Sequence, residues 1–437
     1  MGRTSPPETV LGQLQRGRGA GWLTAANSTD GANVLLECLV FNPCWDYQVE
    51  TRADYYGSLA RQLNVSAATV ASAPLEDNDD ARRLRLDVLA AMARRGDTQA
   101  IGLLRDRFQD NADNQHIAYL LTELPDGLDG LDRLITSRLD EGAIATFLDW
   151  TRTMLPWDRW AGEHPLIARA ISSFDAEPRP QQPTPTDLDA PLDVILAHDW
   201  VSPPAYVVQR FVHAPVDAEL ALLRQAATGP AGSARYFALR VLSARRDPCA
   251  LDLAEQTFAA NTSGRDRATL YRYVKALNAS ETLPLARRWL DTDDSRSGVA
   301  ASLMAMHSLD RDVPAIRAAL GRAWQEQSMY ELCSLIEALG RHPANGFYGE
   351  LRTVFVDVDY SYARKRAAAA MVAVDLEFVS LFARECLWDC EPDTQVIGVA
   401  SADMAEEGTS VRITHLASSA GEDQDVSLAA AIRLWRG

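Results

Sequence analysis

Four prolines, Pro248, Pro284, Pro314 and Pro343, recur at intervals of 36, 30 and 29 residues. Each follows an apolar run that ends in leucine, at Leu242, Leu277, Leu309 and Leu339. Each precedes a second stretch of helical character: Cys249 to Phe258, Leu285 to Leu290, Ala315 to Trp324 and Ala344 to Phe355. Proline suits the first turn of a helix, where the N–H it lacks has no partner anyway. Asp247 stands where an N-cap belongs. The other three turns show no cap so clear. A helix, a turn and a second helix, repeated, predict hairpins that must stack, because one hairpin cannot bury its apolar face alone. Ala300, Ala301, Ala305 and the run Ala367 to Ala370 would let such helices approach closely.

This pattern resembles the HEAT/armadillo superfamily of helical repeats. The resemblance covers Ala231 to Cys390 and extends to the hairpin of Ala81 to Gln109, with its apolar line of Leu84, Val88, Leu89 and Met92. It implies an all-α fold, a right-handed α-solenoid of stacked hairpins, in one or two segments. It implies little about chemistry, since such folds serve scaffolds, adaptors, regulators and a few enzymes.

The domain organisation follows from composition. Residues 1–25 are rich in arginine and glycine without an apolar core, which predicts a flexible leader and no secretory signal. Residues 26–174 form an N-terminal helical segment, and residues 175–191, with five prolines, an extended linker. Residues 192–437 form the repeat segment with a terminal capping helix. No run of apolar residues is long enough for a transmembrane helix. Six scattered cysteines suggest reduced, buried thiols in the cytoplasm. The aromatic stretch Trp45 to Leu63 reads as the cap of the stack or as a partner-binding edge, with Tyr56 on the apolar helix face and Tyr55 off it. Trp157 and Trp160 read as a packed corner or an exposed anchor.

The formal charge of −17 disfavours nucleic-acid binding through phosphates. It is uneven: residues 231–355 carry 16 basic and 14 acidic side chains, between acidic ends. A local basic face there can recognise an acidic partner.

Catalytic and metal motifs are absent from the sequence. The seven histidines form no H-x-x-x-H pair, and Glu163-His164 reverses the His-Glu dipeptide of helical-repeat hydroxylases. Cys386 and Cys390 fall on one face if a helix spans them, but no further ligand is near in sequence. No cofactor or metal is expected. The second helices offer Arg287, Arg288, Trp289, Arg317, Trp324, Tyr348 and Arg352, a composition suited to a binding surface or to arginine stems packed over aromatic rings. The expected function is non-catalytic binding of another protein or peptide, with an acidic partner suited to the near-neutral middle. The alternatives are an enzyme or enzyme subunit with a site assembled from distant residues, and a nucleic-acid-binding groove.

Overall fold

The computed structural model describes residues 4–436 except 48, 109–113, 176–189, 199–202, 214–216, 261–263, 344–345, 347 and 420. Among the described residues it contains 29 α-helices and no strand. No helix of the described residues is long and apolar enough to cross a membrane. The chain forms two compact units: Met1–Arg179 together with Phe347–Gly437, and Pro180–Gly346. Residues 347–437 thus pack with the N-terminal helices, whereas the sequence groups them with 192–346. Most of the proline-rich stretch lies outside the described residues.

In the second unit the hairpins follow one another as Ser233–Arg245 and Pro248–Ala259, Arg265–Lys275 and Ala279–Trp289, Arg296–His307 and Val313–Glu326, then Met329–Gly340. Pro248 and Pro314 occupy the first turns of their helices, and Asp247 caps the former by accepting the Cys249 N–H. Pro284 does not start a helix. It lies inside Ala279–Trp289, which begins five residues earlier at a capping box of Asn278 and Glu281. The helix expected to begin at Ala344 is described only from Gly349–Asp357.

Residues about thirty positions apart meet across successive hairpins. Tyr271 donates to Ser302 Oγ at 3.0 Å, and Ser302 meets Ser334 at 3.4 Å. Ser297 donates to Glu331, and Arg322 to the Leu290 carbonyl. A second recurrence is an arginine that grips an aspartate 23 or 25 residues later: Arg224 with Asp247 and Arg287 with Asp312 in this unit, Arg352 with Asp375 and Arg364 with Asp389 in the other. Each pair is bidentate, with its shorter bond at 2.7 or 2.8 Å. Each aspartate also accepts a nearby backbone N–H, from Cys249, Leu309, Glu377 and Glu391 respectively. The arginine therefore fixes a turn two elements away.

In the first unit the segment expected to be a flexible leader is helical at Val10–Gln15 and Gly19–Ala26 and embedded. Composition misleads here because the arginines are bonded. Arg16 pairs with Asp359 at 2.8 Å and Arg18 with Glu385 at 2.9 Å. A Cβ on Gly19 would overlap the carbonyl oxygen of Glu385, so glycine is what permits this approach. Helix Ala53–Gln62 is packed on both sides, so Tyr55 is buried along with Tyr56. Their hydroxyls donate to the carbonyls of Arg18 and Leu14. Trp157 and Trp160 are fully buried, the packed corner of the two readings. Helix Ala383–Cys386 ends before Cys390, so the two thiols do not share a helix face.

At the centre of this unit lies a buried polar network. Arg364 grips Asp389, and both side chains are almost fully buried. Arg52 donates to Glu50 at 3.0 Å, to Ser361 Oγ at 3.1 Å and to the carbonyl of Gln15. Arg52 and Arg364 both lie 3.3 Å from the Cys390 sulfur. Such pairs are costly to form but costlier to halve.

Two outcomes follow for stability. Asp312→Asn loses a charge-assisted pair and is expected to cost about 1.5–3 kcal/mol at pH 7 in urea denaturation. Burial works against ionised Asp312, but Arg287 and the Leu309 N–H outweigh it and hold the carboxyl below its usual 3.8. The stabilisation is thus full above 3.8 and lost as pH falls through the lower folded value, so the gap between wild type and variant closes in acid. Arg364→Met leaves the Asp389 charge buried without its partner and is expected to cost about 3–5 kcal/mol, measured as a drop in the urea midpoint.

Candidate functional site

The expected binding residues differ in exposure and in the partners they hold. They divide between the two units, with Tyr348 and Arg352 in the first and the other five in the second. Trp289 has no solvent exposure, and its indole N–H donates to Glu255 at 3.1 Å. Tyr348 is 2% exposed. Neither can present itself to a partner. Arg287 and Arg352 brace Asp312 and Asp375, and Arg352 also holds Glu377. Arg288 pairs with Glu255 at 2.8 Å. Trp324 is half-buried, and Arg317 is exposed. Of the expected arginines, Arg352 packs over an aromatic ring, that of Phe382, at 5.7 Å from its centroid.

The first unit contains a cleft that the sequence did not reveal. Its floor is a pair of tryptophans, Trp22 from Gly19–Ala26 and Trp388 from the turn after Ala383–Cys386, with ring centroids 6.0 Å apart and planes at 34°. One wall is helix Ala53–Gln62 with the end of Asp79–Arg94; the other is helix Thr409–Ser418. The cleft has a narrow end of about 430 Å³ and a wide end of about 890 Å³, which share Trp22, Ser58, Arg95, Trp388, Arg412 and Glu422.

The two ends differ in charge. The narrow end holds Arg94, Arg95 and Arg412 against Asp54, Glu123, Asp389, Glu422 and Asp423. Its ion pairs are closed: Asp54 accepts from Arg94 at 3.0 Å and from Arg95 at 2.7 Å, and Arg94 also donates to Glu123 at 2.6 Å. Burial opposes the charge on Asp54, but the two guanidinium groups prevail and lower its pKa. The wide end holds Arg61, Arg95 and Arg412 against Glu422 alone. Among the described residues, neither Arg61 nor Arg412 has a carboxylate in ion-pair distance. Arg61 donates to the carbonyl of Arg95 at 3.2 Å. Arg412 donates to the carbonyl of Leu387 at 3.1 Å and lies 5.6 Å from the Trp388 ring centroid. Burial lowers the Arg412 pKa to about 10, which leaves it charged at neutral pH. His415, one turn along, lies 3.2 Å from Arg412 through its Nδ1. Burial and then Arg412 lower the imidazole pKa below 6.5.

No catalytic pair is assembled in this cleft. Cys390 lines the narrow end, but burial pushes its thiol up, which makes it a poor nucleophile. His415 bonds Arg412 rather than Ser58 or Ser419. Elsewhere in the first unit, Asp132, Glu163 and His164 place ligand-type atoms within 4.8 Å of one another. His164 Nε2 is 3.2 Å from Asp132, so this group already forms a histidine–carboxylate contact.

No protein-family model, curated protein or solved structure matches the chain.

Behind the narrow end, Ser361 Oγ touches Glu50, Glu391 and Arg52. A hydroxyl has one proton and a guanidinium only donates, so one of the two carboxyls must supply its own proton. Burial acts upward on Glu50, but Arg52 and the N–H groups of Ser361 and Asp46 outweigh it and keep Glu50 ionised. Burial prevails at Glu391 and raises it. Of the two, Glu391 is therefore the carboxyl that keeps its proton to the higher pH. Because the folded pKa of Glu391 lies above 4.5, wild-type stability falls as pH rises from 4.5 through that value. Glu391→Gln does not titrate. Its melting temperature relative to wild type is expected to rise between pH 4.5 and pH 7.5; a constant difference would place the proton elsewhere.

Proposed function

We propose that the protein is a non-catalytic scaffold of the HEAT/armadillo type, an α-solenoid that binds an acidic segment of another protein in the cleft of its first unit. The observation that carries this reading is the wide end of that cleft. Arg61 and Arg412 face it without a carboxylate partner among the described residues, in a chain of net charge −17. Evolving cation excess in a concavity costs repulsion unless something anionic fills it. The two tryptophans of the floor add apolar area on which a peptide backbone can rest. The solenoid reading is supported by contacts that recur about every thirty residues and by the repeated arginine–aspartate pairs. A cytoplasmic setting is supported by six cysteines without a disulfide.

The enzyme alternative has a cavity in its favour but no nucleophile bonded to a base within it. The nucleic-acid alternative meets five carboxylates against three arginines at the narrow end, which repel a phosphate backbone.

A fluorescently labelled hexaglutamate peptide tests the proposal by anisotropy. Binding to wild type is expected to weaken as salt rises. Arg61→Glu, at an exposed position, is expected to weaken it roughly tenfold, which corresponds to about 1.4 kcal/mol. Arg412→Glu is expected to weaken it further. No binding to wild type, or equal affinity in wild type and both folded variants, overturns the assignment.

A further inference from the structure

Resting on that reading, we infer that the Arg412–His415 corner is the anchor for a carboxylate and that the ligand arrives with a proton taken up by His415. The two side chains project from one helix a turn apart, and Nδ1 of His415 lies 3.2 Å from a guanidinium nitrogen of Arg412. Arginine has only donors, so this imidazole nitrogen must accept, and the ring is neutral in the free protein. Protonating it breaks the bond and sets two cations side by side.

The charged groups around the ring all bear on this balance. Arg412 comes from its own helix, Arg61 from Ala53–Gln62, Arg95 from the end of Asp79–Arg94, and Glu422 from the loop that follows. Arg412 and Arg61, with Arg95 already paired to Asp54, outweigh Glu422 and disfavour the imidazolium. A ligand carboxylate in the corner reverses that balance. It takes the hydrogen bonds of Arg412, supplies the missing negative charge, and accepts from the imidazolium that forms. His415 is itself exposed at the rim of the cleft, so proton and ligand can reach it together. The proton comes from solvent and no covalent bond changes. Affinity then rises as pH falls, by at most about tenfold per pH unit, between the two imidazole pKa values of complex and free protein.

The test is titration of wild type, His415→Gln and His415→Lys with hexaglutamate between pH 6 and pH 8, where the peptide carboxylates stay ionised. Calorimetry in two buffers of different ionisation enthalpy counts the protons taken up. Wild type is expected to bind several-fold more tightly at pH 6 than at pH 8, with net proton uptake. His415→Gln, neutral throughout, and His415→Lys, charged throughout, are expected to lose both the slope and the uptake; melting curves confirm that each is folded. Binding with the same slope in wild type and both variants overturns this inference and leaves the binding reading standing. No binding at any pH overturns the reading beneath it. Tripolyphosphate bound with hexaglutamate excluded overturns the choice of carboxylate.

Discussion

A guanidinium that grips a carboxylate in a turn two elements away holds this structure together. The pair occurs four times, at Arg224, Arg287, Arg352 and Arg364, with the same bidentate geometry. Its strength comes from doing two jobs at one carboxylate. The aspartate ties down a turn through a backbone N–H, and the arginine neutralises a charge that burial would otherwise penalise. Lysine cannot substitute, because an ammonium lacks the planar fork that meets both oxygens. Helix-to-helix packing by leucine and alanine is tolerant of small shifts. The fork is not, so each pair fixes its turn against the helix that carries the arginine.

In the first unit the last of these pairs also makes the cleft. Arg364 holds Asp389, and Asp389 stands between Trp388 and Cys390. The turn that carries the tryptophan is thereby anchored from behind. Cys390 N–H donates to the carbonyl of Gly17, and the N-terminal helices close over it without a side chain at Gly19. Trp22 is delivered opposite Trp388 by that closure. The network behind the floor ties Glu50, Arg52, Ser361 and Glu391 together through buried hydrogen bonds, and so holds the floor from behind.

The all-helical content is legible in the sequence because apolar runs and the Asp247-Pro248 turn sit near where helices end and begin. At Pro284 the sequence shows no clear cap, but the Asn278-x-x-Glu281 box starts that helix, because two satisfied N–H groups decide a boundary more firmly than one missing one. The arginine–aspartate spacing of 23 to 25 was present too, but it matches no helix or strand period and means nothing until the hairpins are folded. Arg287 and Arg352 looked like anchors for the same reason: composition states that a side chain can bind, not which carboxylate it meets. Arg16 and Arg18 show the converse, a glycine-rich stretch that resembles a tail until its arginines find Asp359 and Glu385. The cleft takes Trp22, Arg61, Arg95, Trp388 and Arg412 from five separated stretches, and no local pattern joins them.

Net charge is a poor guide to what such a protein binds, and the contrast within this cleft shows why. The narrow end has more charged side chains than the wide end, yet carboxylates predominate there and Arg94 and Arg95 are spent on Asp54 and Glu123. The wide end has fewer charges and more attraction to offer, because Arg61 and Arg412 bond only to carbonyl groups and a neutral imidazole. A carbonyl satisfies a guanidinium's hydrogen-bonding but leaves its charge uncompensated. Specificity for an anion therefore resides where a cation is geometrically settled and electrostatically incomplete, and that condition can be met in a chain that is acidic nearly everywhere else.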